Sequence, residues 1–265
     1  MEKFMPSSPA VVYDDNFYKR QVLASLRSAR IVLRHLWRYL EPNSVLDVGC
    51  GRGSWLLACR ELGSSHLFGL DGDWNSQAAM MHSDIQFRGI DLNQPFYVGE
   101  KVDLAMSLEV AEHLEPSSSK QFVDCLTKAS DSVLFSAAYI GQGGTNHINE
   151  RRHSWWAHLF LEKDYVPFDL FREAVWGDER VHPWYRQNTF LYVKRHGRAY
   201  EKLKSSGVSE VGNISFLDCI HPGFYEGKVG IDVSFRVHVK DLIPSLLRAI
   251  RRRIPDEYKS DSITK

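Results

Sequence analysis

The apolar residues of this chain follow two alternating periods, one typical of helices and one typical of buried strands. Steps of three or four residues between Tyr18 and Leu40 predict an amphipathic helix that ends before Pro42. Short apolar runs that stop at glycines or acidic residues predict strands. The predicted strands are residues 44–48, 66–71, 85–91, 102–108, 132–138, 166–171 and 189–194. The helical patterns between them are residues 54–62, 117–129 and 154–164.

This alternation predicts an α/β fold, a doubly wound and mostly parallel seven-stranded sheet with helices on both faces. Residues 1–40 then form an N-terminal helical cap, residues 41–195 the core, and residues 196–265 a C-terminal extension. Alternating apolar positions between 196 and 238 suggest an edge hairpin or an accessory flap. Residues 241–254 predict a basic amphipathic helix, which we interpret as docked on the body, with weak contact to a membrane surface or a partner as the alternative.

The charge balance and the cysteine content of the chain indicate its cellular compartment and the class of partner that it can bind. Its 265 residues carry 33 Lys and Arg against 33 Asp and Glu, and this balance argues against a protein built to neutralise nucleic-acid phosphates. No apolar run approaches the roughly 18 residues of a membrane span. The cysteines, which lack C-x-x-C spacing, are Cys50, Cys59, Cys125 and Cys219. These features predict a cytoplasmic protein with reduced thiols and no nucleic-acid partner.

The stretch with the most chemical information is VLDVGCGRG, residues 45–53, in which a buried strand is followed by three alternate glycines and a helix. Glycines there let the backbone approach a ligand closely. In open α/β sheets, ligands bind at the carboxyl ends of the strands, where this turn lies. A dinucleotide fingerprint would read G-x-G-x-x-G, but position 54 is Ser, so the dinucleotide interpretation is disfavoured.

The segment LDVGCGRG resembles the first motif of class I S-adenosylmethionine-dependent methyltransferases, and later segments follow that family's order over residues 40–195. The resemblance implies a Rossmann-like methyltransferase fold with S-adenosylmethionine as cofactor and S-adenosylhomocysteine as product. It also implies a set of cofactor-binding residues at the ends of the first four strands. These are Asp47, Gly49, Cys50, Gly51, Gly53, Asp71, Gly72, Trp74, Asp91, Leu92, Ser107, Leu108 and Glu109.

Each part of the cofactor has its own expected partner in that set. Asp71 matches the acidic residue that accepts hydrogen bonds from the ribose hydroxyls, and two acceptor oxygens suit a vicinal diol. Asp91 matches the carboxylate that takes the adenine amino group, and Trp74 is placed to stack near the adenosine, although a surface aromatic is equally plausible. On the predicted N-terminal helix, Tyr18, Gln21 and Arg30 are candidates for the methionine carboxylate, with plain packing of that helix as the alternative.

Methyl transfer to oxygen needs an aligned nucleophile and a group that removes its proton. His147, in the glycine-rich loop after the fifth strand, is our first candidate for the general base, and His113 is the second. Glu109, Glu112 and His113 also resemble a metal site of small-RNA 2'-O-methyltransferases and some quinone-pathway O-methyltransferases. The same E-x-x-E-H string occurs in similar enzymes where we would not infer a metal, so we expect a metal-free mechanism.

The segments around the last strands are rich in amides and aromatic rings, which suit a sugar or another small polyhydroxylated acceptor. They contain Gln142, Asn146, Asn149, Arg151, Trp155, Trp156, Trp184, Tyr185, Arg186 and Gln187. One of the two adjacent tryptophans is expected to be a core residue. We therefore predict O-methylation of such an acceptor. The alternatives are metal-assisted methylation of an RNA 2'-hydroxyl or a catechol-like group, and a non-catalytic cofactor-binding module of a glycosylation or membrane complex.

Overall fold

A computed structural model describes residues 15–229 of the chain and the side chains of residues 22–226. The basic helix predicted at 241–254 and the alternating positions beyond 229 lie outside the described residues, as do the side chains of Tyr18 and Gln21. The chain divides into two compact units between Cys219 and Ile220. In the second unit, the described residues include one helix, Pro222–Val229 (α8).

The first unit contains the elements that build the candidate site. Its strands are β1 Ser44–Val48, β2 His66–Asp71, β3 Ile85–Gly89, β4 Leu104–Leu108, β5 Ser132–Ser136, β6 Tyr165–Phe168 and β7 Phe190–Lys194. Its α-helices are α1 Asp15–Leu36, α2 Ser54–Glu61, α3 Ser119–Ala129, α4 His153–Leu161, α5 Arg172–Val175, α6 Pro183–Asn188 and α7 Arg198–Ser205. Short 3₁₀ turns occur at Gln77–Ala79, Ala111–His113, Pro116–Ser118 and Ile214–Asp218.

The seven strands form one sheet in the order β3-β2-β1-β4-β5-β7-β6. Strands β1 to β5 pair in parallel, whereas β7 runs antiparallel to both of its neighbours. Asp47 of β1 is in register with Gly69 of β2 and Met106 of β4, so the carboxyl ends of these strands meet at one edge of the sheet. The predicted seven-stranded, mostly parallel α/β fold is confirmed.

Several predicted boundaries were wrong. Helix α1 ends at Leu36 rather than Leu40, and β3 and β5 each end two residues earlier than predicted. The alternating residues on which the edge hairpin or accessory flap was predicted, Ile231 to Val239, lie outside the described residues, and residues 196–219 contain no strand. Residues 198–205 instead form α7, because Ala199, Tyr200 and Leu203 lie at helical spacing and pack against one hydrophobic cluster.

The sheet separates two hydrophobic clusters, one on each face. Val45 belongs to the cluster that contains residues of α1 and α2, while its neighbour Leu46 belongs to the cluster that contains residues of α3 and α4. This alternation follows from the pleat, which points successive side chains to opposite faces. On the second face Phe160 of α4 stacks on Tyr192 of β7, with ring centroids 4.0 Å apart. Helix α4 thereby holds the antiparallel end of the sheet.

Among the described residues, no helix combines the length and the apolar character that a membrane crossing requires. All four cysteines are free thiols, three of them buried and Cys219 exposed.

Removing the ring of Phe160 tests how much the second hydrophobic cluster contributes to stability. Phe160 is fully buried, so Phe160→Ala should lower the free energy of unfolding by about 3–5 kcal/mol, the usual cost of emptying a buried aromatic site. Phe216→Ala is the matched control, because that ring is 70% exposed and its loss should change stability by about 0.5 kcal/mol or less. Denaturant unfolding of both variants measures the difference, and equal midpoints would contradict the assignment.

Candidate active site

The turn after β1 depends on three glycines, each for its own reason. Gly49, Gly51 and Gly53 all have positive φ angles, of 85°, 53° and 81°. A Cβ on Gly49 would overlap the side chain of Val110, and a Cβ on Gly53 would overlap Ile85. Gly51 instead faces open space, with no heavy atom within 4 Å of the position a Cβ would take. The turn therefore packs against the protein at Gly49 and Gly53 and is open at Gly51, as a ligand-binding turn requires.

Asp71, the last residue of β2, holds this turn in place. Its Oδ2 accepts a hydrogen bond from the Gly51 amide and its Oδ1 accepts one from the Gly72 amide, both at 2.7 Å. Burial raises the pKa of Asp71, and the two amides oppose that rise. The Asn75 side chain donates to the Gly51 carbonyl from the other side. Each carboxylate oxygen keeps further acceptor capacity, so this geometry fits the ribose diol predicted for it.

Asp47 lies one strand away and is also buried. Burial, and then the charge of Asp71, raise the pKa of Asp47 to about 8. Its carboxyl group is therefore predominantly protonated at neutral pH and can donate a hydrogen bond as well as accept one. Cys50, next to Gly51, is buried, and Gly69 of β2 lacks a Cβ where the Cys50 sulfur packs. The direct cofactor contacts of Asp47 and Cys50 remain predictions.

The residues predicted to bind the adenosine lie on the exposed side of the edge. Trp74 is 74% exposed, and its ring lies against Gly72, where a Cβ would overlap it. Asp91 is exposed, and its Oδ1 accepts hydrogen bonds from the amide and the side chain of Asn93. Asp91 thus stabilises a local turn through Oδ1, and its Oδ2 is available to accept a hydrogen bond from a ligand. Leu92 is half-buried.

The end of β4 carries the residues predicted to line the methionine. Ser107 and Leu108 are buried, and Ser107 Oγ has no hydrogen-bond partner in the described structure. Glu109 has a φ of 57°, a left-handed conformation that is uncommon outside glycine. Its amide donates to the Ser136 carbonyl at 3.1 Å, which fixes it to the end of β5. Strain of this kind is often retained where it aims a functional side chain.

The carboxylate of Glu109 is surrounded by amide donors. Asn188 Nδ2 lies 3.1 and 3.3 Å from its two oxygens, and Gln142 Nε2 lies 3.4 Å from one of them. Burial raises the pKa of Glu109, although these hydrogen bonds oppose the rise. Glu109 is therefore held by side chains from the loop after β5 and from the end of α6.

Glu112 has the opposite environment, because its side chain is fully buried and neither oxygen has a hydrogen-bond partner. Burial and then the charge of Glu109 raise the pKa of Glu112 well above its ordinary value, and nearby backbone amides only partly offset the rise. Its main-chain carbonyl accepts hydrogen bonds from Ile148 and Asn149 at 3.0 and 2.9 Å. The turn after β4 thereby fastens the loop after β5.

The two predicted catalytic histidines meet beside Glu112. The rings of His113 and His147 form an edge-to-face pair with centroids 4.8 Å apart. Burial, and then the charge of His147, lower the pKa of His113. One potential ligand atom from each of Glu112, His113 and His147 lies within 4.8 Å of the others. One carboxylate and two imidazoles are a suitable donor set for a transition ion. Glu109, expected in such a set, lies outside this group and bonds to amides instead.

Glu150 closes the loop that carries His147. Its carboxylate accepts hydrogen bonds from the amides of Gly141 and Gly143, at 2.8 and 2.6 Å, and lies 2.9 Å from His147 Nδ1. The sequence offered one signal for Glu150, an acidic residue three positions after a histidine in a glycine-rich loop, which our sequence analysis missed. Asn188 was missed as well, since nothing local to α6 indicates its approach to Glu109.

Some predicted site residues have structural roles instead. Arg30 forms a bidentate ion pair with Glu61 at the surface, at 2.7 and 2.5 Å, so it does not point to the methionine end of the site. Asn149 is buried and donates to the Ala111 carbonyl and to Ser119 Oγ. Trp156 is the core member of the tryptophan pair, as expected for one of them, with 1% of its surface exposed.

Comparison with known proteins agrees with the fold. A family model described as a methyltransferase domain matches residues 18–176. The ribosomal protein L11 methyltransferase of Xanthomonas axonopodis pv. citri (strain 306) is 27% identical over 127 residues, which cover 47% of this chain and 41% of that protein. The chain therefore matches less than half the length of this curated relative.

Two solved structures share the architecture. A sugar N-methyltransferase from Streptoalloteichus sp. ATCC 53650 has a TM-score of 0.54 at 13% identity, over 73% of this chain and 100% of that chain. A methyltransferase of Haloferax volcanii, solved with a methyltransferase activator, has a TM-score of 0.50 at 18% identity, over 67% of this chain and 95% of that chain. Because the identities are this low, the two comparisons show only that the chain shares the fold of these structures.

The double role of Asp71 predicts a large loss of cofactor affinity in Asp71→Asn. The amide side chain fills the same space but presents an NH₂ group where a carboxylate oxygen accepts a hydrogen bond. Each hydrogen bond to a charged group contributes about 1.5–3 kcal/mol, so S-adenosylhomocysteine affinity should fall roughly tenfold or more in calorimetry. Asp84→Asn, which removes an exposed partner of Arg60, should bind normally. Unchanged affinity in a folded Asp71→Asn would exclude Asp71 from the site.

Proposed function

We propose that this chain, which belongs to the methyltransferase-domain family and uses S-adenosylmethionine as its methyl donor, methylates a hydroxyl group of a sugar or another small polyhydroxylated acceptor. The observation that carries this proposal is the His147–Glu150 pair beside the carboxyl end of β4. Both side chains are largely shielded from solvent, with exposed fractions of 13% and 15%. A histidine held by a carboxylate is suited to remove a proton from a hydroxyl.

The proposed reaction is an in-line displacement at the sulfonium methyl group. The acceptor oxygen forms a bond to the methyl carbon while the carbon–sulfur bond breaks, and its electron pair stays on sulfur to give S-adenosylhomocysteine. The hydroxyl proton passes to Nε2 of His147, because Nδ1 faces Glu150. The sulfonium is already activated, so the protein has to align the acceptor and take its proton.

The surroundings of His147 support a small amphipathic acceptor. The loop residues Gln142 and Asn146 supply amides, while Ile140 and Ile148 are 55% and 53% exposed and flank the loop in the sequence. A ring that is polar at its rim and apolar on its faces matches such a surface. The zero net charge of the chain argues against a nucleic-acid acceptor, which would need a basic surface. The fold is also used by a sugar N-methyltransferase.

His147→Ala tests the assignment of the general base. Methyl transfer from labelled S-adenosylmethionine to a panel of sugars and polyols should slow roughly 10²–10⁴-fold, the contribution of a positioned base. Cofactor affinity should stay normal, since no cofactor contact is assigned to His147.

Two further variants complete this test. His158→Ala removes an exposed histidine of α4 and should leave turnover unchanged. His113→Ala removes the ring that packs against His147, and a larger loss in His113→Ala than in His147→Ala would reassign the base to His113.

Metal-assisted methylation is the second candidate, and it rests on the unpartnered carboxylate of Glu112. A buried carboxylate without a donor is costly unless it is protonated or lies beside a cation. Glu112, His113 and His147 would hold such an ion. It would lower the pKa of the acceptor hydroxyl and so suit a catechol-like group or an RNA 2'-hydroxyl.

Chelation separates the two candidates. On the metal-free mechanism, EDTA should leave the rate of methyl transfer unchanged, because a neutral imidazole needs no ion to accept a proton. Loss of activity in EDTA that Mg²⁺ or Mn²⁺ restores would favour the metal-assisted reaction. Glu112→Gln distinguishes them further, since it removes a metal ligand and yet matches a protonated carboxyl in shape and charge.

A further inference from the structure

Glu150 is the one carboxylate in the candidate site that is bonded to both backbone and imidazole. Oε1 is 2.6 Å from the Gly143 amide and 2.9 Å from His147 Nδ1, and Oε2 is 2.8 Å from the Gly141 amide. Both amides can only donate, so both oxygens must act as acceptors. With both oxygens accepting from backbone amides and a ring nitrogen 2.9 Å from Oε1, the group facing His147 has the hydrogen-bonding arrangement of an ionised carboxylate.

An ionised carboxylate has no proton to give, so the imidazole nitrogen opposite it must carry one. In neutral His147 this places the proton on Nδ1 and leaves the lone pair on Nε2. Which nitrogen is protonated follows from the partner of the other nitrogen, and here that partner is unambiguous. A histidine without such a partner would distribute its proton over both nitrogens.

Two neighbours fix the plane of the same ring. Gly144 has no Cβ, and a Cβ at that position would overlap the Nε2 edge of the His147 imidazole, so only glycine leaves space at this end of the ring. On another side the His113 ring packs edge-to-face against it. Asn146, just before His147, adopts a left-handed conformation with a φ of 59°. Packing thus holds the ring in place, and Glu150 determines which ring nitrogen carries the proton.

From this geometry we propose that Glu150 is the positioning residue of His147. It fixes the tautomer with hydrogen on Nδ1 and leaves Nε2, at the end of the ring beside Gly144, unprotonated for the acceptor hydroxyl. The inference rests on the proposed function for the use of Nε2, but the tautomer itself follows from the contacts of Glu150 alone. The same tautomer would present Nε2 to a metal ion, so the assignment holds for either candidate reaction.

Nitrogen NMR of ¹⁵N-histidine-labelled full-length protein tests the tautomer without any acceptor. The spectrum is recorded in EDTA, above the pH range where histidines titrate, and His147→Gln identifies the resonances of His147. We expect a protonated Nδ1 and an unprotonated Nε2 in the natural protein. In Glu150→Gln, the neutral side chain no longer selects one form, and we expect signal from the Nε2-protonated tautomer. A natural protein with hydrogen on Nε2 of His147 would overturn the proposal.

Activity gives the second readout. Turnover of Glu150→Gln should fall roughly 10- to 100-fold, the usual cost of removing a residue that orients a reactive histidine, with unchanged affinity for S-adenosylhomocysteine. Glu150→Asp, which restores the charge, should recover part of the loss.

The matched control is Asp103→Asn. Asp103 also accepts two backbone amides, those of Asn43 and Ser44, but has no histidine partner, so its loss should leave turnover unchanged.

The two readouts distinguish failure of the positioning role from failure of the proposed function. If the tautomer responds to Glu150→Gln but no hydroxyl acceptor is methylated, the positioning role stands and the proposed O-methylation fails. If methylation is found and Glu150→Gln changes neither the tautomer nor turnover, the positioning role is wrong.

Discussion

The hydrogen bonds from the Gly51 and Gly72 amides to the carboxylate of Asp71 are the interaction on which the candidate site depends. They join the ends of two parallel strands, β1 and β2, through one side chain. Without them the glycine turn would have a half-buried amide with no partner, which is costly. Because Gly51 faces open space, the same interaction that stabilises the turn also leaves room at the edge of the sheet, where the cofactor is predicted to bind.

The two halves of this edge are built in different ways. At β1 and β2 the site is formed mainly by the backbone, since glycine conformations and amide donors define the turn. At β4 and β5 the connections run through side chains and the main-chain carbonyls of Glu112 and Ser136. Glu109 is held by Asn188, and the carbonyl of Glu112 holds the loop that contains His147. A cofactor common to a large family suits the first kind of surface, whereas an acceptor that differs among relatives suits the second.

This difference explains what the sequence could predict. The glycine turn was predicted from local spacing, a strand end, a tight turn and a helix start, whereas Asp71 was predicted from the resemblance of the segment order to the methyltransferase family. Asn188, which reaches Glu109 from 79 positions away, could not be found, because nothing near α6 encodes the approach. Helix α7 was not predicted for a related reason. Alternating and helical spacings overlap in short segments, and packing against the sheet selected the helix.

The three glutamates around the loop after β5 show how environment divides roles among identical side chains. Glu109 faces carboxamide donors, and Glu150 faces backbone amides and His147, whereas Glu112 faces no donor with hydrogen-bond geometry. Donors favour the ionised form of a buried carboxyl group, whereas a buried carboxyl group without them is stable only when it is neutral or beside a cation. Environments that separate the pKa values of neighbouring carboxyl groups are characteristic of sites that move protons. Glu150 is thus the fixed charge of this cluster, and Glu112 is the group whose charge depends on what binds beside it.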